Sequence, residues 1–422
     1  MRPVLVSWSD LHGGAACAAY RLHRALREIN VDSRMVVAAK VSDDDAVIGP
    51  SALGRFGARI SARLDRLPLR RYRNAHGSLF SPAWAPGSAA ARVRAQQGDL
   101  VHVHWVNNGC LRIESLARLT GPLLWTLHDQ WLFTGGCHYS GACTRYLQSC
   151  GACPTLGSNN SKDLSRAVFL RKQQAWPALP LTLITPSRWL AQLAATSALA
   201  RGRRIEVIPN CLDTDVFKPS GVLAARRELK LPEDGYVVLF SGLLSARDER
   251  KGYQLLAPAL ERLSKKLGNG SICLVVLGMN PPANPAAVPY VVRYLGVLSD
   301  DSQLARAYAA ADVFVAPSLQ DNLPNTVMEA LSCGTPCVAF DVGGMPDLIE
   351  HRDTGYLARA YEVEDLAAGL EWVCSDRNRQ RALSARAREK VLTAYSPKII
   401  AERHMALYED VLSSARRNQR VA

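Results

Sequence analysis

Two carboxylates and the turns around them are the residues in this sequence best suited to chemistry. Asp321 lies in a polar loop, and Glu329 follows about two helical turns later. Carboxylate oxygens accept hydrogen bonds from the hydroxyl groups of a ribose or a sugar. The helix that carries Glu329 and the helix after Gly343-Gly344 both begin with free backbone N–H groups, which suit a phosphate. The stretch therefore predicts a site for a ligand with both hydroxyl and phosphate groups.

The surrounding sequence predicts the elements that would position these groups. Val313–Ala316 has the length and apolar character of a buried strand, and residues 324–331 read as a helix with Asn322 as its N-cap. Cys337–Phe340 is the next apolar run. Strand, helix and strand in this order form a βαβ unit, which predicts a parallel sheet. In such sheets the loops after the strands line the ligand crevice.

The same residues resemble a known family. Residues 321–330, DNLPNTVMEA, followed by Cys333-Gly334-Thr335-Pro336 and Gly343-Gly344, resemble the signature of the retaining glycosyltransferases of family 4. That signature has two glutamates separated by seven residues. Glu329 matches the second, and Asp321 stands in place of the first, one methylene shorter. The resemblance covers nearly the whole chain and implies an α/β protein of the GT-B architecture, with two Rossmann-like domains facing a central cleft.

The resemblance assigns donor-binding roles within this motif. It implies that Glu329 binds the ribose of a nucleotide and that Asp321 binds the hydroxyl groups of the donor sugar. Leu323, Asn325 and Thr326 lie between these two carboxylates, and we assign them to the donor site as well.

A cationic loop supplies the charge that a departing diphosphate needs. By resemblance, Lys251 matches the family lysine with this role. The family's partner arginine directly follows a glycine, where this chain has Leu243, so we assign the role to Arg250 or Arg247 and favour Arg250. Ordinary surface charge is the alternative. Val297 matches the position whose backbone reads the nucleotide base.

A glycine turn follows the first predicted strand. Gly13-Gly14 allows the backbone to approach a ligand closely and opens a helix, although a plain tight turn has the same pattern. The resemblance implies that these glycines face the acceptor and the donor phosphate.

Two histidines end consecutive predicted strands. His104 and His128 lie at carboxyl ends of strands, the edge that faces a ligand in an open parallel sheet, although single strand-end histidines are commonly structural. The resemblance implies that His128 touches the donor sugar or its phosphate. It places His104, Asn107 and Asn108 near the acceptor.

Four cysteines lie in one glycine-rich loop, residues 135–156: Cys137, Cys143, Cys150 and Cys153. Four soft ligands in a small loop predict a structural zinc. His138 as a substitute ligand, an iron–sulfur cluster and plainly packed thiols are the alternatives. The loop, with the preceding residues WTLHDQW, resembles a bacterial branch of the family that builds exopolysaccharides, including colanic-acid-type enzymes. The resemblance implies that catalysis needs no cofactor and that the loop shapes the acceptor side.

Composition limits the class of protein. A chain of 422 residues can form two domains with full cores, and it contains no apolar run of membrane-spanning length. The sequence begins directly with a predicted strand and without a signal peptide, so we expect a cytoplasmic protein with reduced cysteines.

The net charge of +13 favours an acidic partner. The most basic segment, residues 53–72, has Leu53, Phe56 and Ile60 on one helical face and arginines elsewhere. This pattern fits peripheral contact with an anionic membrane at the inner face of the cytoplasmic membrane, or a core-packed helix with a solvated arginine face. Nucleic acid is not expected, because no aromatic platform accompanies the charges.

These patterns predict an acceptor-side domain over residues 1–212, a nucleotide-sugar domain over residues 213–396, and a helix over residues 397–422 that returns to the first domain. The expected activity is transfer of a hexose from a nucleotide-diphosphate sugar to a lipid-linked saccharide, with retention of configuration, in bacterial exopolysaccharide or surface polysaccharide synthesis. A nucleotide-sugar epimerase of the same architecture and a basic zinc-loop protein that binds nucleic acid are the alternatives.

Overall fold

A computed structural model describes residues 1–72, 80–87, 89–119, 121–242, 249–268, 270–283, 287–298 and 300–421, with side chains to residue 417. The chain forms two compact units. The first comprises Met1–Cys211 together with Pro397–Ala422, and the second comprises Leu212–Ser396. No described helix is long and apolar enough to cross a membrane.

The first unit is built on a parallel sheet in the order β3-β2-β1-β4-β5-β6-β7. Its strands are β1 (Pro3–Ser9), β2 (Arg34–Ala39), β3 (Val47–Ile48), β4 (Leu100–Val103), β5 (Leu123–Thr126), β6 (Leu181–Thr185) and β7 (Ile205–Val207). Its helices before residue 212 are α1 (Gly14–Glu28), α2 (Ala52–Asp65), α3 (Ala89–Ala95), α4 (Leu164–Ala175) and α5 (Arg188–Thr196).

The continuous apolar runs of these strands follow from burial on both faces of the sheet. Along β1, Val4 and Val6 pack into one hydrophobic cluster, whereas Leu5 packs into another. All three side chains are fully buried.

The second unit repeats the plan with a parallel sheet in the order β10-β9-β8-β11-β12-β13. Its strands are β8 (Tyr236–Ser241), β9 (Ile272–Leu277), β10 (Val291–Gly296), β11 (Val313–Ala316), β12 (Cys337–Phe340) and β13 (Gly355–Ala358). Its helices are α6 (Val222–Glu228), α7 (Tyr253–Leu267), α8 (Asp301–Ala310), α9 (Asn325–Ser332), α10 (Met345–Leu348), α11 (Val363–Cys374) and α12 (Arg377–Ala394). The prediction of two Rossmann-like α/β domains is therefore confirmed.

The last helix, α13 (Pro397–Val421), belongs to the first unit, where it packs against α1. Ile400 and Tyr408 of α13 are fully buried in the cluster that also contains Leu5. The chain therefore leaves the first unit after residue 211 and completes its core again at residue 397.

In each sheet the order in which the chain adds strands reverses at one place. This place is the switch point of the sheet, and ligand crevices form there. In the first unit, β1 and β4 are neighbours, and the chain winds outward from them to both sides. In the second unit, the switch point lies between β8 and β11. The loops after these four strands are therefore the places to look for a site.

Two local predictions need correction. Asn322 is not the N-cap of α9, because Pro324 occupies the N-cap position and no side chain caps the helix. The apolar residues of α2 are not packed in a core. Leu53 is 88% exposed and Phe56 67%, while the buried residues of this helix are Ser61 and Asp65. The hydroxyl of Ser61 donates to a backbone carbonyl, and Asp65 accepts from backbone N–H groups, so the polar side of α2 attaches it to its unit.

Candidate functional site

An ion-paired group lies at the switch point of the second unit. Lys251 and Arg250 follow β8, and Asp321 follows β11. Lys251 Nζ donates to Asp321 Oδ2 over 2.8 Å, and a guanidinium nitrogen of Arg250 lies 3.3 Å from the same oxygen. The structure thus brings together three residues that the sequence predicted separately for the donor site.

The electrostatics of this group keep its carboxylate charged. Asp321 is nearly buried, and burial by itself would raise the pKa of its carboxyl group. The charges of Lys251 and Arg250 outweigh burial and hold the pKa of Asp321 below its ordinary value. Both cations remain about a quarter exposed, so an anionic ligand can reach them.

Backbone contacts hold the two loops in place. The carbonyl of Arg250 accepts from the N–H of Leu319, and the guanidinium of Arg250 donates to the carbonyl of Gln320. Gly343 lies so close to the Asp321 carbonyl that an added Cβ would stand 2.0 Å from its oxygen. Because Gly343 also has a φ of +60°, a side chain at this position would displace Asp321.

Glu329 lies on the buried face of α9 and has a partner that the sequence did not indicate. The hydroxyl of Tyr308, on α8, donates to Glu329 Oε2 over 3.0 Å. Tyr308 is almost fully buried, and a buried tyrosine hydroxyl needs an acceptor. That requirement was the available signal, but nothing in the sequence showed which acceptor it would find.

The other residues predicted for the donor site differ in how deeply they are buried. Leu323 is buried in the core, whereas Asn325 and Thr326 form the half-buried first turn of α9. Val297 follows the end of β10 and is 67% exposed, which leaves its backbone accessible. Arg247 and Leu243 lie outside the described residues.

The switch point of the first unit carries histidines. His104 follows β4 and His128 follows β5, and His104 Nδ1 lies 3.0 Å from His128 Nε2. Their rings are stacked with centroids 5.3 Å apart. Burial lowers the pKa of His128 to about 4 and that of His104 well below its ordinary value, so both imidazoles are neutral near pH 7.

Two polar atoms near this switch point have no hydrogen-bond partner among the described residues. They are His104 Nε2 and Asn107 Oδ1, and both side chains are buried. A neutral ring nitrogen and an amide oxygen suit hydroxyl groups. Asn108 adopts a φ of +57°, and its side-chain oxygen accepts weakly from Arg66.

The glycine turn opens α1 after β1. Gly13 stands at the N-cap with a φ of +92°, and a Cβ there would meet no atom within 4 Å. Gly14 is the first residue of the helix. The backbone at this turn therefore borders open space at the switch-point edge.

A buried hydrogen-bonded chain next to His128 was not predicted. His138 Nδ1 lies 2.6 Å from Asp129 Oδ2, and His138 Nε2 lies 2.9 Å from the hydroxyl of Ser81. The indole N–H of Trp105 also donates to Asp129. Both ring nitrogens of His138 are therefore engaged in this hydrogen-bonded chain.

The four loop cysteines all line one small cavity, and each is a free thiol. Cys137, Cys150 and Cys153 are buried, and Cys143 is half-buried. Burial raises the pKa of Cys137 to about 12 and that of Cys150 to about 11. As placed, no three His, Cys, Asp or Glu side chains of the described residues are gathered closely enough to hold a metal ion.

Comparison with known proteins agrees with this fold. Residues 12–216 match the family model described as Glycosyltransferase Family 4, and residues 235–376 match the model described as Glycosyl transferases group 1. Together the two matches take in most of the chain, one in each unit. The chain therefore belongs to the glycosyltransferases that these models describe, and it has the GT-B fold.

The individual relatives share less than a third of their residues with this chain in the aligned segments. A D-inositol 3-phosphate glycosyltransferase of Stackebrandtia nassauensis is 29% identical over 48% of this chain and 48% of its own length. The chain spans about half the length of the curated relatives it matches. Sucrose-phosphate synthase from Thermosynechococcus elongatus shares the fold, with a TM-score of 0.69 and 17% identity over 98% of this chain and 99% of its own. The Anabaena protein HepE, solved with UDP-glucose, also shares the fold. Its TM-score is 0.64, with 17% identity over 97% of this chain and 100% of its own.

Proposed function

We propose that the protein transfers a hexose from a nucleotide-diphosphate sugar to a saccharide acceptor, with retention of configuration at the anomeric carbon. The observation that carries this proposal is the group formed by Asp321, Lys251 and Arg250 at the switch point of the second unit. It combines partly exposed cations for a diphosphate with a carboxylate for sugar hydroxyls. Glu329, on the helix that follows, suits the ribose.

The ion pairs suggest how the donor enters. Asp321 pairs with both cations, and the group keeps a net charge of about +1. An incoming diphosphate competes for Lys251 and Arg250, and Asp321 is then released toward the hydroxyl groups of the sugar. As the bond to the sugar breaks, the cations stabilise the charge that develops on the departing phosphate. The acceptor attacks from the same face, and the departing phosphate oxygen takes its proton.

The neutral edge of the first unit suits the acceptor. His104 and Asn107 present polar atoms with no partner among the described residues, and burial keeps the histidines uncharged. Hydroxyl groups fit such a surface better than an anion does. We propose a saccharide here, in the synthesis of exopolysaccharide or surface polysaccharide. The relative of Stackebrandtia nassauensis is named for D-inositol 3-phosphate, so that compound belongs in the acceptor screen.

The α2 surface supports a lipid-linked acceptor. We define this surface by the exposed apolar residues Leu53, Phe56 and Ile60 and the arginines around them. An exposed apolar stripe among arginines fits the boundary of an anionic bilayer, where the side chains enter the acyl region and the guanidinium groups meet lipid phosphates. We propose that the protein contacts the membrane through this surface.

The activity is tested by measuring free nucleotide from a panel of nucleotide sugars, with and without saccharide acceptors. Nucleotide released only when an acceptor is present supports transfer, and the anomeric proton signal of the product reports retention. Interconversion of the donor without an acceptor would establish the epimerase instead. Product of inverted configuration would contradict the proposed stereochemistry.

The membrane contact is tested by co-sedimentation with phosphatidylglycerol and phosphatidylcholine vesicles. We expect binding to the anionic vesicles alone, and its loss in Leu53→Ser/Phe56→Ser. Val222→Ser/Leu223→Ser is the matched control, because it removes two exposed apolar residues from α6. Equal loss in both variants, or binding to neither vesicle, would contradict the role of α2.

A further inference from the structure

The four cysteines surround a cavity sized for one small guest. Cys137, Cys143, Cys150 and Cys153 all line it, and its volume is about 10 Å³. That is about the space of one water-sized probe, too small for an organic ligand. We propose that this cavity is a structural zinc site with the four thiolates as ligands.

The lining selects the metal. Thiolates are soft ligands that favour zinc, and four of them match its tetrahedral coordination. A cavity of this size also disfavours an iron–sulfur cluster, which holds several metal and sulfide atoms. As placed, the thiols stand too far apart to hold an ion. Zinc binding draws the sulfurs in to about 2.3 Å from the metal and displaces their four protons.

A backbone donor already points at one of the sulfurs. The N–H of Gly135 donates to Cys150 Sγ over 3.1 Å. The N–H of Leu156 donates to the backbone carbonyl of Cys153, which fixes the backbone turn beside this thiol. A donor such as the Gly135 N–H stabilises negative charge on sulfur and orients the ligand, as outer hydrogen bonds do at metal sites. The loop is also tightly packed there, because a Cβ on Gly135 would stand 2.6 Å from that of Cys150.

A buried lysine lies next to the thiol loop, and burial lowers its pKa to about 7. Lys172 is fully buried, and its ammonium group donates to the carbonyls of Trp131 and Thr134. No carboxylate of the described residues forms an ion pair with Lys172. Thr134 directly precedes Gly135, whose N–H holds Cys150, so the ammonium lies beside the thiol loop. Zinc with four thiolates carries a net charge of −2, which would favour the charged form of Lys172.

The site would position the acceptor edge of the first unit. Cys137 directly precedes His138, whose ring hydrogen-bonds to Asp129, the neighbour of His128. A metal that holds Cys137 therefore fixes this chain of hydrogen bonds. The nucleotide site of the second unit is not involved, so loss of zinc should leave nucleotide affinity unchanged.

Metal analysis of protein purified without chelators tests the site directly. We expect one zinc per chain, and in cobalt-substituted protein the intense visible absorption of tetrahedral cobalt thiolate. Cys150→Ser/Cys153→Ser should lose the metal and become protease-sensitive within residues 135–156. Cys110→Ser/Cys211→Ser is the matched control, because it removes two buried thiols of the same unit outside the loop. It should keep the metal.

Lys172→Met tests the counter-charge separately. It keeps the length of the side chain and removes its charge, and it should weaken zinc binding about 10- to 100-fold in chelator competition. Unchanged zinc affinity would remove Lys172 from the site. The unmodified protein decides the main proposal even if a variant fails to fold. Well under one zinc per chain after reconstitution under reducing conditions would leave four packed thiols as the account of the cavity.

Discussion

The switch points of the two units differ in the charge of the side chains that they carry. In the second unit, Lys251 and Arg250 lie beside Asp321 and hold the pKa of its carboxyl group below the ordinary value. In the first unit, burial lowers the pKa of His104 and that of His128, so both imidazoles are neutral near pH 7. One sheet edge thus presents charged side chains, and the other presents neutral polar ones. The same parallel architecture supports both, so the loops set the chemistry.

The largest effect should come from removing a cation at the charged switch point. We expect Lys251→Ala to lower turnover by about two to three powers of ten, the scale of losing one preorganised stabiliser of developing charge. Steady-state kinetics with the correct donor would show it. Lys266→Ala is the control, because Lys266 lies on the neighbouring α7 and pairs with Glu371 on the surface. Equal turnover in the folded Lys251 variant and the control would remove Lys251 from the site.

The ribose contact should have the next largest effect. Glu329→Gln keeps the volume of the side chain but weakens its hydrogen bonds, so the bare nucleotide should bind less tightly by roughly 1–3 kcal/mol. Calorimetry measures this affinity directly. Tyr308→Phe removes only the supporting hydroxyl and should cost less. If Glu329→Gln bound the nucleotide with unchanged affinity, the ribose assignment would be wrong.

The neutral histidines make the first unit sensitive to acid. Burial lowers the pKa of His128 and that of His404 to about 4, below the ordinary 6.5. The unfolded chain therefore takes up protons first, and stability is lost as the pH falls from about 6.5 toward 4. Each such histidine contributes a slope of about 1.4 kcal/mol per pH unit in this window.

Urea unfolding at several pH values measures this slope. His404→Leu should flatten it by about one proton, whereas His351→Leu should not, because His351 is exposed to solvent. Equal slopes in the unmodified protein and the His404 variant would contradict the neutral, buried state of this ring.

The smallest expected effect is on the binding of a bare nucleoside diphosphate at the charged switch point. Asp321→Asn removes the charge that occupies Lys251 and Arg250, so a bare nucleoside diphosphate should bind a few-fold more tightly, by roughly 1 kcal/mol. Turnover should fall, because the sugar loses its carboxylate. Weaker binding of the diphosphate would show that Asp321 orders the two cations for the ligand and does not compete with it.

The sequence by itself determined the architecture and the residue types of the site. Apolar runs with strand length, and glycines and prolines between them, depend on near neighbours, so β11, α9 and β12 could be predicted closely. The motif around Asp321 and Glu329 was visible for the same reason. The N-cap of α9 was missed because the proline signal and the asparagine signal compete within three residues, and Pro324 took the position.

Only the tertiary structure decided which groups meet. The ion pair of Lys251 with Asp321 and the bond from Tyr308 to Glu329 join different elements, and sequence spacing does not encode such contacts. The engagement of both nitrogens of His138 and the outward face of α2 were decided in the same way. Amphipathic spacing shows that a helix has an apolar face. Whether that face is covered depends on what the rest of the chain packs against it.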